Sequence, residues 1–112
     1  MGVNGLTLFL GDTANAERVC DHIEHLVQLV GGRHVGLGLD YCFDLDAINA
    51  EKVSMGSTFP KGLGYEAPVE CFEIDETPAI TEELLSRGME EQDVRCVLGD
   101  NWLRIAKTCW AS

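Results

Sequence analysis

An apolar run that ends abruptly in a carboxylate, His34-Val35-Gly36-Leu37-Gly38-Leu39-Asp40-Tyr41, narrows the fold of this chain more than any other stretch. Val35, Leu37 and Leu39 alternate with two glycines over too few residues for a helix, which predicts a short buried strand over about 34–39. Asp40 then stands where that strand ends. In α/β folds the carboxyl ends of parallel strands form the chemical face, because the loops leaving them build the crevice while the opposite ends only close the fold.

The preceding residues supply a partner. Gly5-Leu6-Thr7-Leu8-Phe9-Leu10, closed by the turn signal Gly11-Asp12, predicts a strand over about 5–10. Between the two runs, Val19, Ile23, Leu26 and Val30 recur at the three- and four-residue spacing of one helical face, and Gly31-Gly32 supplies a stop, so a helix is expected over about 15–30. Strand, helix and strand joined by short loops form a parallel βαβ unit. After Asp40 comes a long irregular stretch, 41–77, holding Gly56, Pro60, Gly62, Gly64 and Pro68, with room for a short helix at 46–53. A loop of that length leaving a strand end is usually functional.

Helices are expected over about 78–110. Thr77-Pro78 opens the first, with Ile80, Leu84 and Leu85 inward and Gly88 as its stop. The second turns Val94, Val97 and Leu98 inward until Gly99 interrupts it. The third, 100–110, carries Trp102, Leu103, Ile105, Ala106 and Trp110. The fold class is therefore α/β, in one domain unit over 1–112. Two parallel strands that are apolar on both faces need neighbours this sequence does not encode, and 112 residues fall well short of the roughly 250 of a full barrel, so the expectation is part of a larger α/β domain.

A net charge of −11, with only eight Lys and Arg scattered singly, repels phosphate backbones and anionic lipid, which excludes nucleic acid and membrane surfaces as partners. No apolar stretch approaches the roughly 18 residues of a membrane span. The first apolar run lacks the basic residues of a signal peptide, so a cytoplasmic location is expected. Five widely spaced cysteines without a Cys-x-x-Cys pair read as reduced thiols.

Asp40, beside Tyr41, is suited to hold a substrate ammonium or to take part in proton transfer; the alternative is a turn or helix-cap aspartate. His22 and His25 have a spacing that can share a metal, but on the helix His22 falls at the rim of the apolar face and His25 far round, which favours a solvated face. His34, ahead of its strand, reads as structural. Cys42 has no histidine partner the sequence can supply and reads as a packed thiol. Gly36-x-Gly38 lacks the third glycine and the following helix of a dinucleotide fingerprint.

Four stretches, Asn4-Gly5-Leu6-Thr7-Leu8-Phe9-Leu10-Gly11-Asp12, Asp21-His22-Ile23-Glu24-His25, His34 to Tyr41, and Leu98-Gly99-Asp100-Asn101-Trp102-Leu103-Arg104, resemble in order and spacing the C-terminal third of the renal (membrane) dipeptidase family of zinc peptidases. The resemblance implies the C-terminal part of a (β/α)8 TIM-type barrel, incomplete as a barrel by itself, whose complete form holds two zinc ions and hydrolyses dipeptides with a metal-activated hydroxide. It implies that Asp40 contacts the substrate's free amino group and assists proton transfer. Tyr41 and Asp44 are the adjoining rim residues expected to contact substrate, although many members have Phe-Asp-Gly after the aspartate where this chain has Tyr41-Cys42-Phe43-Asp44. The family's metal ligands, a His-x-Asp pair, a bridging glutamate and two further histidines, and its carboxylate-binding arginine come from earlier strands without counterparts here. No metal is therefore expected on this chain alone, and its partners would be the remaining barrel strands, in a longer parent or a separate chain, together with the dipeptide. Two rival readings stand beside this: a shortened, non-catalytic remnant that survives as a homo-oligomer, and a small α/β module binding a cationic ligand through Asp40 and the long loop.

Overall fold

The computed structural model describes residues 1–110. Strand β1 (Gly2–Val3) is followed by a helical turn α1 (Thr7–Leu10), helix α2 (Ala16–Val30) and strand β2 (Gly36–Leu37). Then come α3 (Leu45–Ser54), α4 (Thr77–Ser86), α5 (Glu91–Arg95) and α6 (Asn101–Trp110), with a π turn over Cys96–Asp100 joining the last two. The result is a mostly helical α/β arrangement, consistent with a piece of a larger domain.

β1 and β2 pair in parallel, Gly2 opposite Gly36 and Val3 opposite Leu37. The ladder extends beyond the strands proper: Gly36 N–H donates to the Met1 carbonyl at 2.8 Å, Gly38 N–H to Val3 at 3.0 Å and Gly5 N–H to Leu39 at 3.0 Å. Glycine is required where these backbones nearly touch. A Cβ on Gly5 would lie 2.7 Å from the Leu39 oxygen, and one on Gly36 would lie 2.5 Å from the Trp102 indole nitrogen. Gly36 and Gly38 therefore serve packing, not a dinucleotide loop.

The first strand differs from the expectation of 5–10. Asn4 takes the Leu6 N–H on its side-chain oxygen at 2.8 Å, which bends the chain out of the sheet, and the apolar run Leu6–Leu10 winds into α1. Four residues of apolar sequence fit a buried strand and a buried helical turn equally well, and the cap decides. Leu10 enters the core from α1 with Val3, while Leu6 seeds a second, smaller cluster with Val69 and Cys71.

α2 starts where Asn15 accepts the Arg18 N–H at 2.9 Å and stops at Gly31, whose φ of 84° is open to glycine. It buries Val19, Cys20 and Ile23 against Ile80 and Leu84 of α4. Full burial of each such aliphatic side chain stabilises the fold by about 1.5–3 kcal/mol. The apolar face frays at its end, with Val30 49% exposed. In α4, Leu85 likewise faces outward at 47% exposure, because Ile80 and Leu84 already fill the contact with α2. Gly99 does not interrupt the helix as expected; the helix continues through it as the π turn.

Two groups of side chains hold these elements. Arg87, past the end of α4, reaches Asp21 at 2.8 Å and Glu24 at 2.7 Å on α2 and Glu83 at 2.8 Å on α4. It also donates to the Glu17 carbonyl. Buried Asn101 donates from Nδ2 to the Gly32 and Val35 carbonyls, each at 2.7 Å, and the Trp102 indole donates to Leu37 at 2.8 Å. The Val35 and Leu37 carbonyls lie on the side of β2 away from β1, so the start of α6 satisfies the strand's outer edge with side chains instead of another strand.

Candidate functional site

Asp40 is the first residue beyond the ladder. Leu39 still pairs with Gly5, and the chain then turns through Asp40 with φ of 55°, the left-handed region, which an aspartate tolerates better than most residues but still at a cost. The carboxylate is exposed. Its Oδ2 accepts a hydrogen bond from Asn4 Nδ2 at 3.3 Å, so the residues following the two parallel strands face each other across their shared carboxyl end. Asn4, already fixed by its bond to Leu6 N–H, sets the orientation of Asp40. The sequence singled out Asn4 only as the start of a motif; the signal for its role was the Val3-Asn4-Gly5 pattern at a strand end.

Tyr41 is half-buried and meets the Phe43 ring edge to face, with centroids 5.1 Å apart. It packs on the Leu6, Val69 and Cys71 cluster, so its ring supports the rim from beneath. Asp44 is committed locally: its Oδ1 accepts the Ala47 N–H at 2.9 Å and caps α3, which accounts for the carboxylate by helix geometry. The structure thus brings Asp40 together with Asn4, sets Tyr41 beside them, and gives Asp44 a capping contact of its own.

Cys42 is half-buried, and its Sγ–H donates to the Asp40 carbonyl at 3.4 Å. Burial, contact with Cys71 and the Asp40 charge push its thiol up, so it is protonated at neutral pH and poorly suited to act as a nucleophile. Cys20 is pushed up to about 11 by burial between α2 and α4.

His22 and His25 lie exposed on α2. Among the described residues, no three His, Cys, Asp or Glu side chains converge as a metal cradle. The rim is an anionic position flanked by an amide and an aromatic ring, able to accept hydrogen bonds from an ammonium group. No described helix is long and apolar enough to cross a membrane.

The left-handed Asp40 gives a first test. Asp40→Gly relieves the backbone and forfeits only one long, exposed hydrogen bond, so the unfolding free energy from urea titration should stay level or rise by up to about 1 kcal/mol. A loss of that size instead would mean that the carboxylate holds the fold, and would return Asp40 to the turn-residue reading.

Comparison with known proteins places this geometry. The profile of the membrane dipeptidase family, peptidase family M19, matches residues 1–111. Dipeptidase 3 of Mus musculus is 31% identical over 105 residues, covering 94% of this chain and 16% of its own length. Dipeptidase aclJ of Aspergillus oryzae is 35% identical over 94 residues, covering 84% of the chain and 18% of its own length. Dipeptidase 3 of Homo sapiens is 29% identical over 92 residues, 82% of the chain and 15% of the relative. The chain thus spans less than one fifth of the length of these relatives. No solved structure matches it. With a family match over essentially its whole length and an aspartate set at the end of a parallel strand pair, the chain belongs to the membrane dipeptidase family.

Proposed function

We propose that this chain carries the substrate-amine side of a zinc-dependent dipeptidase centre whose metal side is supplied by barrel strands outside it. The observation that carries this reading is the placement of Asp40: exposed, held by Asn4, at the first position past the parallel ladder, where a (β/α)8 barrel keeps its chemistry. In the complete centre Asp40 accepts hydrogen bonds from the free amino group of a dipeptide and positions it, and the same carboxylate is placed to move a proton to the departing amine. A zinc centre held by residues outside this chain would supply a hydroxide nucleophile and Lewis-acid polarisation of the carbonyl. Tyr41 borders the pocket, and Asp44 adds negative charge at its rim while capping α3.

On this reading the chain by itself is inactive. Highly purified chain incubated with zinc and a dipeptide should give no hydrolysis above the zinc-only control; turnover that follows the protein through purification would overturn the division of the centre.

A second reading, self-association, is favoured by the outward apolar side chains of α6. Leu103, Ile105 and Trp110 are exposed, Trp110 at 82%, and the described sheet has two strands, β1 and β2. Light scattering should give a mass above the monomer at micromolar concentration, and Leu103→Glu with Trp110→Glu should return it to the monomer mass. A monomeric parent chain would sink this reading while leaving the first intact.

A further inference from the structure

Two thiols beside the Asp40 rim have no part in the site described above. Cys42 follows Asp40 by two residues on the segment leading into α3, and Cys71 lies in the 69–72 segment that bridges back to Leu6. Between them the chain makes the whole excursion of α3 and the glycine-rich loop. Yet Cys42 packs against the small cluster of Leu6, Val69 and Cys71, so the two cysteines share one apolar cluster. Cys71 is buried and Cys42 is half-buried, so one thiol is open to a reagent and the other waits behind it.

The remaining cysteines are placed differently. Cys20 is buried between α2 and α4 with its thiol directed at the Ile80 carbonyl, Cys96 accepts from Gln92 within the α5 region, and Cys109 is exposed on α6.

We propose that Cys42 and Cys71 form a reversible dithiol–disulfide pair that fastens the Asp40 rim to the 69–72 segment. The co-reactant is a small-molecule disulfide such as oxidised glutathione. The Cys42 thiolate attacks one glutathione sulfur, the disulfide bond breaks, and one glutathione thiolate leaves. Cys71 then gives up its proton and attacks the Cys42 sulfur of the mixed disulfide, expelling the second glutathione. Two protein S–H groups become one S–S bond, the small disulfide is reduced to two thiols, and the two cysteine protons end on the departing thiolates. Because the Cys42 thiol is held protonated at rest, the first step is slow, while the second is favoured because both cysteines are already held in one cluster.

The cross-link alters the rim in two ways. It removes the S–H that donates to the Asp40 carbonyl, and it ties residues 40–42 to the segment already joined to α1 through the Thr7 and Glu70 backbone. The inference stands on this packing and is independent of the dipeptidase reading.

To test it, the native full chain is incubated with oxidised glutathione, quenched with acid, digested and mapped by mass spectrometry. Loss of two hydrogens from the protein, with the Cys42 peptide joined to the Cys71 peptide at about tenfold the yield of any other pairing, and reversal by dithiothreitol, is the expected result. In Cys71→Ser the same treatment should leave a stable glutathionyl adduct on Cys42 and no joined peptide. Amide exchange over residues 40–45 should slow in the oxidised chain. A stable adduct on Cys42 in the parent chain, pairings spread evenly over the other cysteines, or exchange unchanged by oxidation would each overturn the proposal.

Discussion

In a barrel completed with the metal-binding strands, Asp40→Asn should lower kcat by about a hundredfold or more while leaving bound zinc unchanged. The size follows from the role proposed for the carboxylate. Asparagine keeps the shape, tolerates the left-handed backbone and can still meet Asn4 with a hydrogen bond, so neither the fold nor the rim geometry should move. What it loses is the negative charge that faces a substrate ammonium and the ability to carry a proton, and positioned acid–base groups contribute roughly 10²–10⁴ in rate. Steady-state kinetics with a dipeptide, beside metal analysis of the same preparation, separates the outcomes. An unchanged zinc content with a collapsed kcat supports the amine-side role. Near-normal turnover would leave Asp40 as a turn residue. A parallel fall in zinc would place it on the metal side instead.

Arg87→Ala should cost about 2 kcal/mol of folding stability, a drop of about 10 °C in the unfolding midpoint for a chain of this size. Arg87 is 18% exposed in its side chain and is the meeting point of Asp21, Glu24 and Glu83. Individual exposed pairs stabilise little, and this figure is already reduced for the screening its half-exposed partners experience. The larger part of the loss comes from leaving the three carboxylates to face one another. The pH dependence carries a sign that a packing defect would not reproduce. In the parent chain the hydrogen bond to Arg87 holds the Asp21 carboxyl below its usual range, so its contribution is present above about pH 4 and disappears as the pH falls through the lowered value. In the variant that contribution is absent at every pH. The gap between parent and variant should therefore be widest above about pH 4 and narrow as the pH falls through the lowered Asp21 value, and thermal melts at a series of pH values read this directly. A variant that only lost packing would show a gap independent of pH.

Much of the frame was legible in the residues. The apolar spacing of α2 places its core face at Val19 and Ile23, and Asn15 and Gly31 mark its ends. The short run before Asp40 does pair in parallel with an earlier strand, and Asp40 does stand at its carboxyl end. The earlier strand itself was misplaced because hydrophobicity cannot separate a four-residue helical turn from a strand, whereas Asn4, a polar residue inside the apolar stretch, made the difference through one side-chain bond.

The contacts left unread share a physical character. Arg87 appears in the sequence as a lone cation four residues after Glu83, and nothing local announces that Asp21 and Glu24, more than sixty positions away, close around it. Asn101 and Trp102 sit in a motif yet look like one polar and one apolar helix residue; their work at the edge of β2 exists only once the sheet has formed. The thiol pair is hidden by the length of the intervening loop. Local pattern reveals elements, while these long-range bonds depend on how the elements meet.

The π turn bears on how tolerant the C-terminal helices are to change in length. An uninterrupted helix advances about 100° per residue, and the turn over Cys96–Asp100 inserts the equivalent of one residue between α5 and α6. It therefore acts as a phase setting. It brings Asn101 round to the Gly32 and Val35 carbonyls after Val94 and Val97 have been turned into the core. A Cβ on Gly99 meets nothing within 4 Å, so the identity of that residue is open. The number of residues between Arg95 and Asn101 is not: one fewer would leave every side chain of α6 rotated by about a quarter turn, with the strand edge it serves left facing the wrong side of the helix.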